Sequence, residues 1–322
     1  MPRPTTGTTL QRPDLGEKAM EYYLEASQRG FIGTSILPIK NVPRQSADYP
    51  IIPIEAMLKL FDTKRAPRGN YNRSDYEFKT GTYACEEYGW EELVDDAERN
   101  LYVNYFSCDE IATMRSVDQI LRNQEKRIAD MLFNSAIITG TFNVVIPWNT
   151  PATCIPREDV QQGKTAMRAV SGLEPNVLVM SKKVFDQLCL AKQITDCFRY
   201  TSPFEVGTEE GKRRILAQFF GIDQVLVGNS IRDTAKKGQT KVLADMWDDE
   251  YVGLFKVARS DDMKDPCIGR TFLWTEDSPS NLITEQYREE QRRADVFRCR
   301  HNVEEALVFA GAGYLVGNII HP

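Results

Sequence analysis

Residues 109–134 carry the strongest periodic signal in the chain. Ile111, Met114, Val117, Leu121, Ile128 and Leu132 recur at helical spacing, and Arg115, Asp118, Arg122, Glu125, Lys126, Arg127 and Asp130 fill the positions between them. The pattern predicts one amphipathic helix, capped by Ser107 or Asp109. At 1.5 Å per residue it would run roughly 40 Å, about twice the average helix. Such a helix is a spine that other elements pack against.

Downstream, helices and strands alternate. The spacing predicts a helix over 158–170 that closes on Ser171-Gly172, a buried strand at 176–180 and a helix capped by Ser181 that carries Val184, Phe185, Leu188 and Cys189. A helix at 209–220 stops at Gly221, before a strand at 224–228. With strand-like pieces near 242–258 and 270–275, this is a compact α/β block. Residues 283–309 contain neither Gly nor Pro. At period two, Tyr287, Phe297, Cys299, Val303, Leu307 and Phe309 share one face of a long charged strand, although local propensity would permit a helix over 285–294. An apolar strand at 314–320 ends the pattern.

Upstream, order is sparser. Ile52, Ile54, Ala56, Leu58 and Leu60 alternate as in a strand, residues 63–74 read as a loop, and a second strand-like stretch covers 76–88. Together they predict an extended hairpin. Residues 1–49 are punctuated by prolines and leave one helix, with Asp14 and Glu17 as a capping box, Ala19, Tyr22, Tyr23 and Ala26 on one face and Gly30 at its end. That helix cannot bury its own face, so Tyr22 and Tyr23 should pack on the body or on another subunit.

Composition narrows the classes. Of 322 residues, 42% are hydrophobic and 27% charged, which supports a sizeable core and a prior of about two domains. No apolar run approaches the roughly 18–20 residues that cross a bilayer, and the polar, Pro-rich N-terminus lacks a signal-peptide core, so a soluble cytosolic product is expected. Forty basic against 46 acidic residues give −6, which excludes global attraction to nucleic acid. The seven cysteines form no CxxC pair and read as reduced thiols, and two histidines are too few for a multi-His metal centre.

Motifs for chemistry are weak. Gly163-Lys164-Thr165 lacks the leading glycine and strand of a phosphate loop, and Gly311-Ala-Gly313 begins a dinucleotide fingerprint that the chain never completes. Asp248, Asp249 and Glu250 are carboxylates that Mg²⁺ would accept, without a second acidic motif to join them. No catalytic residue, metal site or cofactor is expected. Charge, by contrast, is segregated: six basic and three acidic residues lie between 59 and 79, and seven acidic and no basic residues between 86 and 98. Lys64, Arg65, Arg68 and Arg73, with Lys79, form the basic side; Glu86, Glu87, Glu91 and Glu92 form the acidic side. Repeated between subunits, such charges would select neighbour and register.

The order of parts resembles the major capsid proteins of tailed bacteriophages, the fold named after phage Hong Kong ninety-seven. The resemblance is carried by Thr82–Tyr88, Leu121–Phe133, Leu173–Met180, Phe220–Gly228, Thr271–Trp274 and Tyr287–Tyr314, and covers about residues 50–320. It implies an α+β fold with an N-terminal arm (1–49), an extended hairpin loop (50–92), a peripheral domain (93–150 and 281–309) containing the spine helix, and an α/β axial domain (151–280 and 310–322). It implies self-assembly into hexamers and pentamers of an icosahedral shell around double-stranded DNA, in a virion assembled in host cytoplasm, with no membrane. Because no assembly domain precedes the arm, a separate scaffolding protein is expected, with a portal and decoration proteins as further partners. Arg288, Arg292, Arg293, Arg298 and Arg300, on the charged return strand, join the hairpin charges as candidate inter-subunit contacts. The alternatives are an encapsulin-like nanocompartment shell and a Mg²⁺-dependent α/β enzyme.

Overall fold

The computed structural model describes residues 10–11, 30–51, 53–65, 67–75, 78–102, 107–199, 207–236 and 238–320. The arm helix expected at 14–29, with Tyr22 and Tyr23, lies outside the described residues. In chain order the strands are β1 (Leu10–Gln11), β2 (Ile39–Val42), β3 (Ser46–Ile51), β4 (Lys79–Ala84), β5 (Glu86–Asp95), β6 (Thr141–Asn143), β7 (Val177–Ser181), β8 (Gln224–Gly228), β9 (Ile231–Asp233), β10 (Leu243–Asp245), β11 (Val252–Phe255), β12 (Gly269–Trp274), β13 (Ile283–Glu289), β14 (Ala294–Leu307) and β15 (Gly313–Gly317). The helices are α1 (Gly33–Ile36), α2 (Ile54–Leu58), α3 (Asp96–Tyr102), α4 (Cys108–Leu132), α5 (Pro156–Ser171), α6 (Lys182–Leu190), α7 (Lys192–Arg199) and α8 (Glu209–Phe220).

Two sheets organise the chain. The five-stranded sheet runs β6-β15-β11-β7-β8, and every residue of β7, β11 and β15 is buried. Strands covered on both faces read as continuous apolar runs, which is why Val177-Leu-Val-Met180 and Tyr314-Leu-Val316 stand out in the sequence. Met167 of α5, Val184, Phe185 and Leu188 of α6, and Leu216 and Phe220 of α8 bury apolar side chains in the same cluster. Gly172 ends α5 in the left-handed region at φ 70°. Lys164 donates from Nζ to the carbonyls of Phe220 and Gly221, both at 3.0 Å, so the lysine of the apparent phosphate loop closes the end of α8.

The six-stranded sheet is built on β14. This strand pairs with β13 over Ala294–Arg300, with β5 over Ala294–Val303 and with β12 over Val303–Leu307. The stretch expected as one long strand is a hairpin instead: a 3₁₀ turn at Glu290–Arg292 and Arg293 at φ 48° reverse the chain between β13 and β14. The strand expected over 51–61 also differs. Pro53, which has no N–H to offer a ladder, precedes the short helix α2, and β4 takes β3 as partner, from Ser46 opposite Ala84 to Ile51 opposite Lys79. The described residues between Ile51 and Lys79 are therefore the tip of a β3–β4 hairpin, while β5 leaves it to join β14.

The spine helix α4 has 25 residues, about 37 Å, and links the two sheets. Ala112 packs with Val94 and Phe297, Val117 and Leu121 pack with Cys299 and Leu282, and Ile128, Ala129 and Leu132 enter the core of the five-stranded sheet. Its buried stripe is rotated from the expected one. Ile111 and Met114 are exposed, whereas the small residues Ala112, Thr113 and Ser116 face β14 and let the backbones approach, with the Ser116 hydroxyl 3.3 Å from the Phe297 carbonyl.

Glu125, expected on the solvent face, is only 3% exposed. Its carboxylate accepts from the backbone N–H of Ile32 (3.0 Å) and Gly33 (2.7 Å) and from the Trp247 indole (2.7 Å). Burial pushes the Glu125 carboxyl above its ordinary range, against the pull of these donors. A Cβ on Gly33 would come 2.7 Å from Glu125 Oε2 and 2.8 Å from Ile128 Cδ1, so only glycine admits this approach.

Glu125→Ala should therefore destabilise the subunit by about 2–4 kcal/mol, because three buried donors lose their acceptor. Gly33→Ala should cost about 1–3 kcal/mol through overpacking. Urea unfolding of the unassembled subunit measures both; wild-type midpoints would contradict the assignment.

Candidate assembly surface

The acidic residues of β5 lie opposite the basic residues of β14. Glu91 is the register partner of Arg298 and accepts from its Nε at 2.6 Å. Arg300 bonds Glu285 through Nε (3.1 Å) and Asp277 through Nη1 (2.6 Å), and reaches Glu87 at 4.0 Å. Glu92 accepts from the Trp90 indole at 3.0 Å and lies 3.5 Å from Arg115 of the spine helix, and Glu86 accepts from the Tyr88 hydroxyl at 3.2 Å. Arg288 forks onto Asp96 at 2.6 and 2.7 Å and holds that carboxyl below its ordinary range. Arg292 stands 3.4 Å from Glu289 on the turn, and Arg293 supplies the turn's left-handed residue.

This arrangement changes the charge picture. The acidic run does not form the second side of a projecting hairpin; Glu91 and Glu92 answer arginines of the same chain, because β5 pairs with β14 rather than with the loop. Arg127, one of the polar positions of the spine helix, completes the ladder with a two-point contact to Glu305 (2.8 and 3.0 Å) and stacks 3.8 Å from the Tyr88 ring centroid. Arg99 likewise joins Asp109 (2.8 Å) to Asp295 (2.7 Å).

The basic half stands apart. Lys64, Arg65, Arg68 and Arg73 lie in the exposed tip between β3 and β4, and Lys79 is exposed at the start of β4. The tip has internal order. Asp62 accepts from the Lys64 N–H (2.9 Å), Asn72 donates to the Asp62 carbonyl (2.8 Å), and Arg65 bonds the Gly69 carbonyl at 2.6 Å while stacking on Tyr71 at 4.6 Å. Arg68 turns the chain at φ 65°. Among the described residues, Lys64, Arg68 and Arg73 form no ion pair. Apolar side chains accompany them: Leu60 is 96% exposed, and Met57, Tyr71 and Phe78 are also mostly exposed.

The carboxylates considered for Mg²⁺ are dispersed. Asp249 accepts from the Ser181 hydroxyl at 2.5 Å and pairs with Lys183 at 3.0 Å, whereas Asp248 accepts from the Glu250 N–H. Among the described residues, no group of three or more His, Cys, Asp or Glu side chains is arranged to hold a metal ion.

No protein-family model matches the chain. A curated major capsid protein of Burkholderia phage BcepMu is 25% identical over 301 residues, covering 90% of this chain and 91% of that one. A crystal structure of a phage-related protein from Bordetella bronchiseptica superposes with a TM-score of 0.68 at 19% identity, over 97% of this chain and 98% of its own. The capsid structure of cyanophage P-SCSP1u gives a TM-score of 0.52 at 10% identity, over 88% and 86%. The fold is that of the tailed-phage capsid proteins. Within it the spine helix packs on the β13–β14 hairpin, and the described residues of the β3–β4 tip are largely exposed.

Two residues of the frame were not singled out in the sequence. Glu125 lies four residues after Leu121 and three before Ile128, so the helical stripe itself marked it as inward-facing. His301, fully buried on β14, edges onto Tyr88 with ring centroids 5.9 Å apart. Burial pushes its imidazole down to about 3, with the Arg127 charge adding to the effect. Its position on the inward face of β14 follows from the alternation Phe297, Cys299, His301, Val303.

A histidine held neutral in the fold but free to protonate near 6.5 when unfolded contributes stability that is complete above pH 6.5. That contribution is lost progressively as pH falls from there toward 3. Imidazole NMR of the subunit should show His301 neutral at pH 5, and His301→Phe should flatten the acid limb of stability against pH; titration near 6.5 would refute the burial argument. Glu91→Lys should lower the melting temperature of the unassembled subunit by several degrees, since it sets a lysine against Arg298. Arg298→Glu in the same chain should restore part of the loss, read by calorimetry.

Proposed function

We propose that this chain is a major capsid protein, a structural subunit that self-assembles into the hexamers and pentamers of an icosahedral shell enclosing the double-stranded DNA of a tailed phage. The observation that carries the reading is the match to a phage major capsid protein along nine-tenths of both chains, joined to the fold of a phage capsid structure over 88% of this chain. In this reading residues 1–49 are the arm, the spine helix and the β13–β14 hairpin belong to a peripheral domain, and the five-stranded sheet belongs to an axial domain. The basic tip at 59–73 reaches a neighbouring subunit, as Lys79 and the outer charges of Arg288 and Arg292 can where subunits abut.

The shell serves as wall and carries no chemistry of its own. A net charge of −6 keeps its contact with packaged DNA weak, which suits a container that must fill and empty. A scaffolding protein would supply assembly order and a portal would break the symmetry for DNA entry. Assembly would take place in the host cytoplasm.

Expression of the full chain, alone and with the scaffold from the same genome, tests the reading. Negative-stain images should show closed shells; a monomer or small oligomer under both conditions would refute it. Shells that hold a cargo enzyme and no nuclease-protected DNA in an infected cell would point to a nanocompartment instead. Among the described residues, the segment before Gly30 meets the body where Leu10 pairs with Gln286 and Gln11 with Glu285. Deleting residues 1–29 should therefore leave a folded body, yet should cut shell yield severalfold by particle counting.

A further inference from the structure

Beside the C-terminal end of the spine helix lies a groove of about 930 Å³. Five carboxylates (Asp130, Asp245, Asp248, Asp249 and Glu250) outnumber three cations (Lys126, Lys183 and Arg232) in its lining, beside Ile231 and Leu243 of the β9–β10 hairpin. Lys126 pairs with Asp130, and Lys183 with Asp249 at 3.0 Å, so part of the acidity is neutralised locally. Among the described residues, Asp245, Asp248 and Glu250 have no cation within ion-pair distance. Burial, with the Asp249 charge adding to it, holds the Asp245 carboxyl above its ordinary range against the opposing pull of Lys183. The rim is also apolar: Leu243 is 55% exposed and Ile231 43%.

The basic tip between β3 and β4 has the opposite character. Asn72 donates to the Asp62 carbonyl and ties the two sides of this tip into a knob, while among the described residues Lys64, Arg68 and Arg73 have no acidic partner and Leu60 is almost wholly exposed. The acids of β5 are already engaged by Arg298, Arg115 and Arg300. No residue of the knob lines the groove in its own chain.

We propose that the acidic groove is the docking site for the 62–73 knob of a second copy of the chain. Unpaired cations meet unpaired carboxylates, and Leu60 at the foot of the knob meets Ile231 and Leu243 at the rim. A knob that is ordered before it docks loses little conformational freedom on docking. The proposal rests on the shell reading and adds to it the surface that receives the tip.

The test uses the full chain under conditions that give wild-type shells. Reversing the groove (Asp245→Lys, Asp248→Lys, Glu250→Lys) or the knob (Lys64→Glu, Arg68→Glu, Arg73→Glu) should each cut particle yield about tenfold at low salt, with the melting temperature of the unassembled subunit within about 2 °C of wild type. Combining both sets should recover much of the yield. If the groove reversal does not fold, the milder Asp248→Asn, Glu250→Gln chain should still lose about threefold. Independently, Arg68→Cys with Asp248→Cys should give inter-subunit disulfides under mild oxidation, absent from either single variant. Wild-type yield from the groove variant, or shells without that crosslink, would overturn the docking site and leave the shell reading standing. Absence of wild-type shells together with absence of the crosslink would sink both.

Discussion

A carboxylate buried without a cation is the contact on which the architecture turns. Moving such a group out of water costs several kcal/mol, and it persists only where enough donors converge on it. At Glu125 three donors come from two places in the sequence: the backbone at Ile32 and Gly33, where the N-terminal segment enters the body, and the indole of Trp247, in the turn before β11. The spine helix is thereby fixed to both at one point. Phe133 packs edge-on against Trp247 at 5.0 Å, and Ile128 and Leu132 continue into the core of the five-stranded sheet. An apolar residue at 125 would satisfy the helix but orphan all three donors.

The other half of the frame is held by charge-assisted hydrogen bonds. On β14, inward residues alternate with arginines, and Arg298 and Arg300 meet carboxylates on the strands to either side. The spine helix adds Arg127, which answers Glu305 of the same strand. Exposed pairs of this kind contribute about 0–1 kcal/mol singly. In a ladder they also fix register, because a slip of one residue would bring like charges together and turn the apolar face outward. A long, heavily charged strand that reads as unfavourable in isolation is thus well placed between two acidic neighbours.

Among the described residues, several surfaces keep groups that the fold does not engage. The tip between β3 and β4 keeps its cations and apolar side chains in solvent, the groove beside the spine helix keeps its carboxylates, and Ile111 and Met114 leave the helix stripe for the surface. A subunit with unengaged groups of opposite charge at separated positions is suited to join copies of itself.

The division between local and tertiary information is clear from particular elements. The spine helix, the buried strands β7 and β8, and helices α5, α6 and α8 were legible in sequence, since period, caps and terminal glycines all act within a few residues. The resemblance in the order of parts supplied the capsid fold that no single motif could. The strand expected over 51–61 failed because alternation does not name a partner, and β4 found one in β3. The charged stretch at 283–309 became a hairpin because Arg293 accepts a left-handed conformation that propensity does not foresee. Glu91 and Arg298 lie 207 residues apart, and Glu125 lies 92 from Gly33. Which charge is answered within the chain and which is left for a neighbour was therefore settled only by the folded sheet, since pairing over such distances depends on which backbones come to lie side by side.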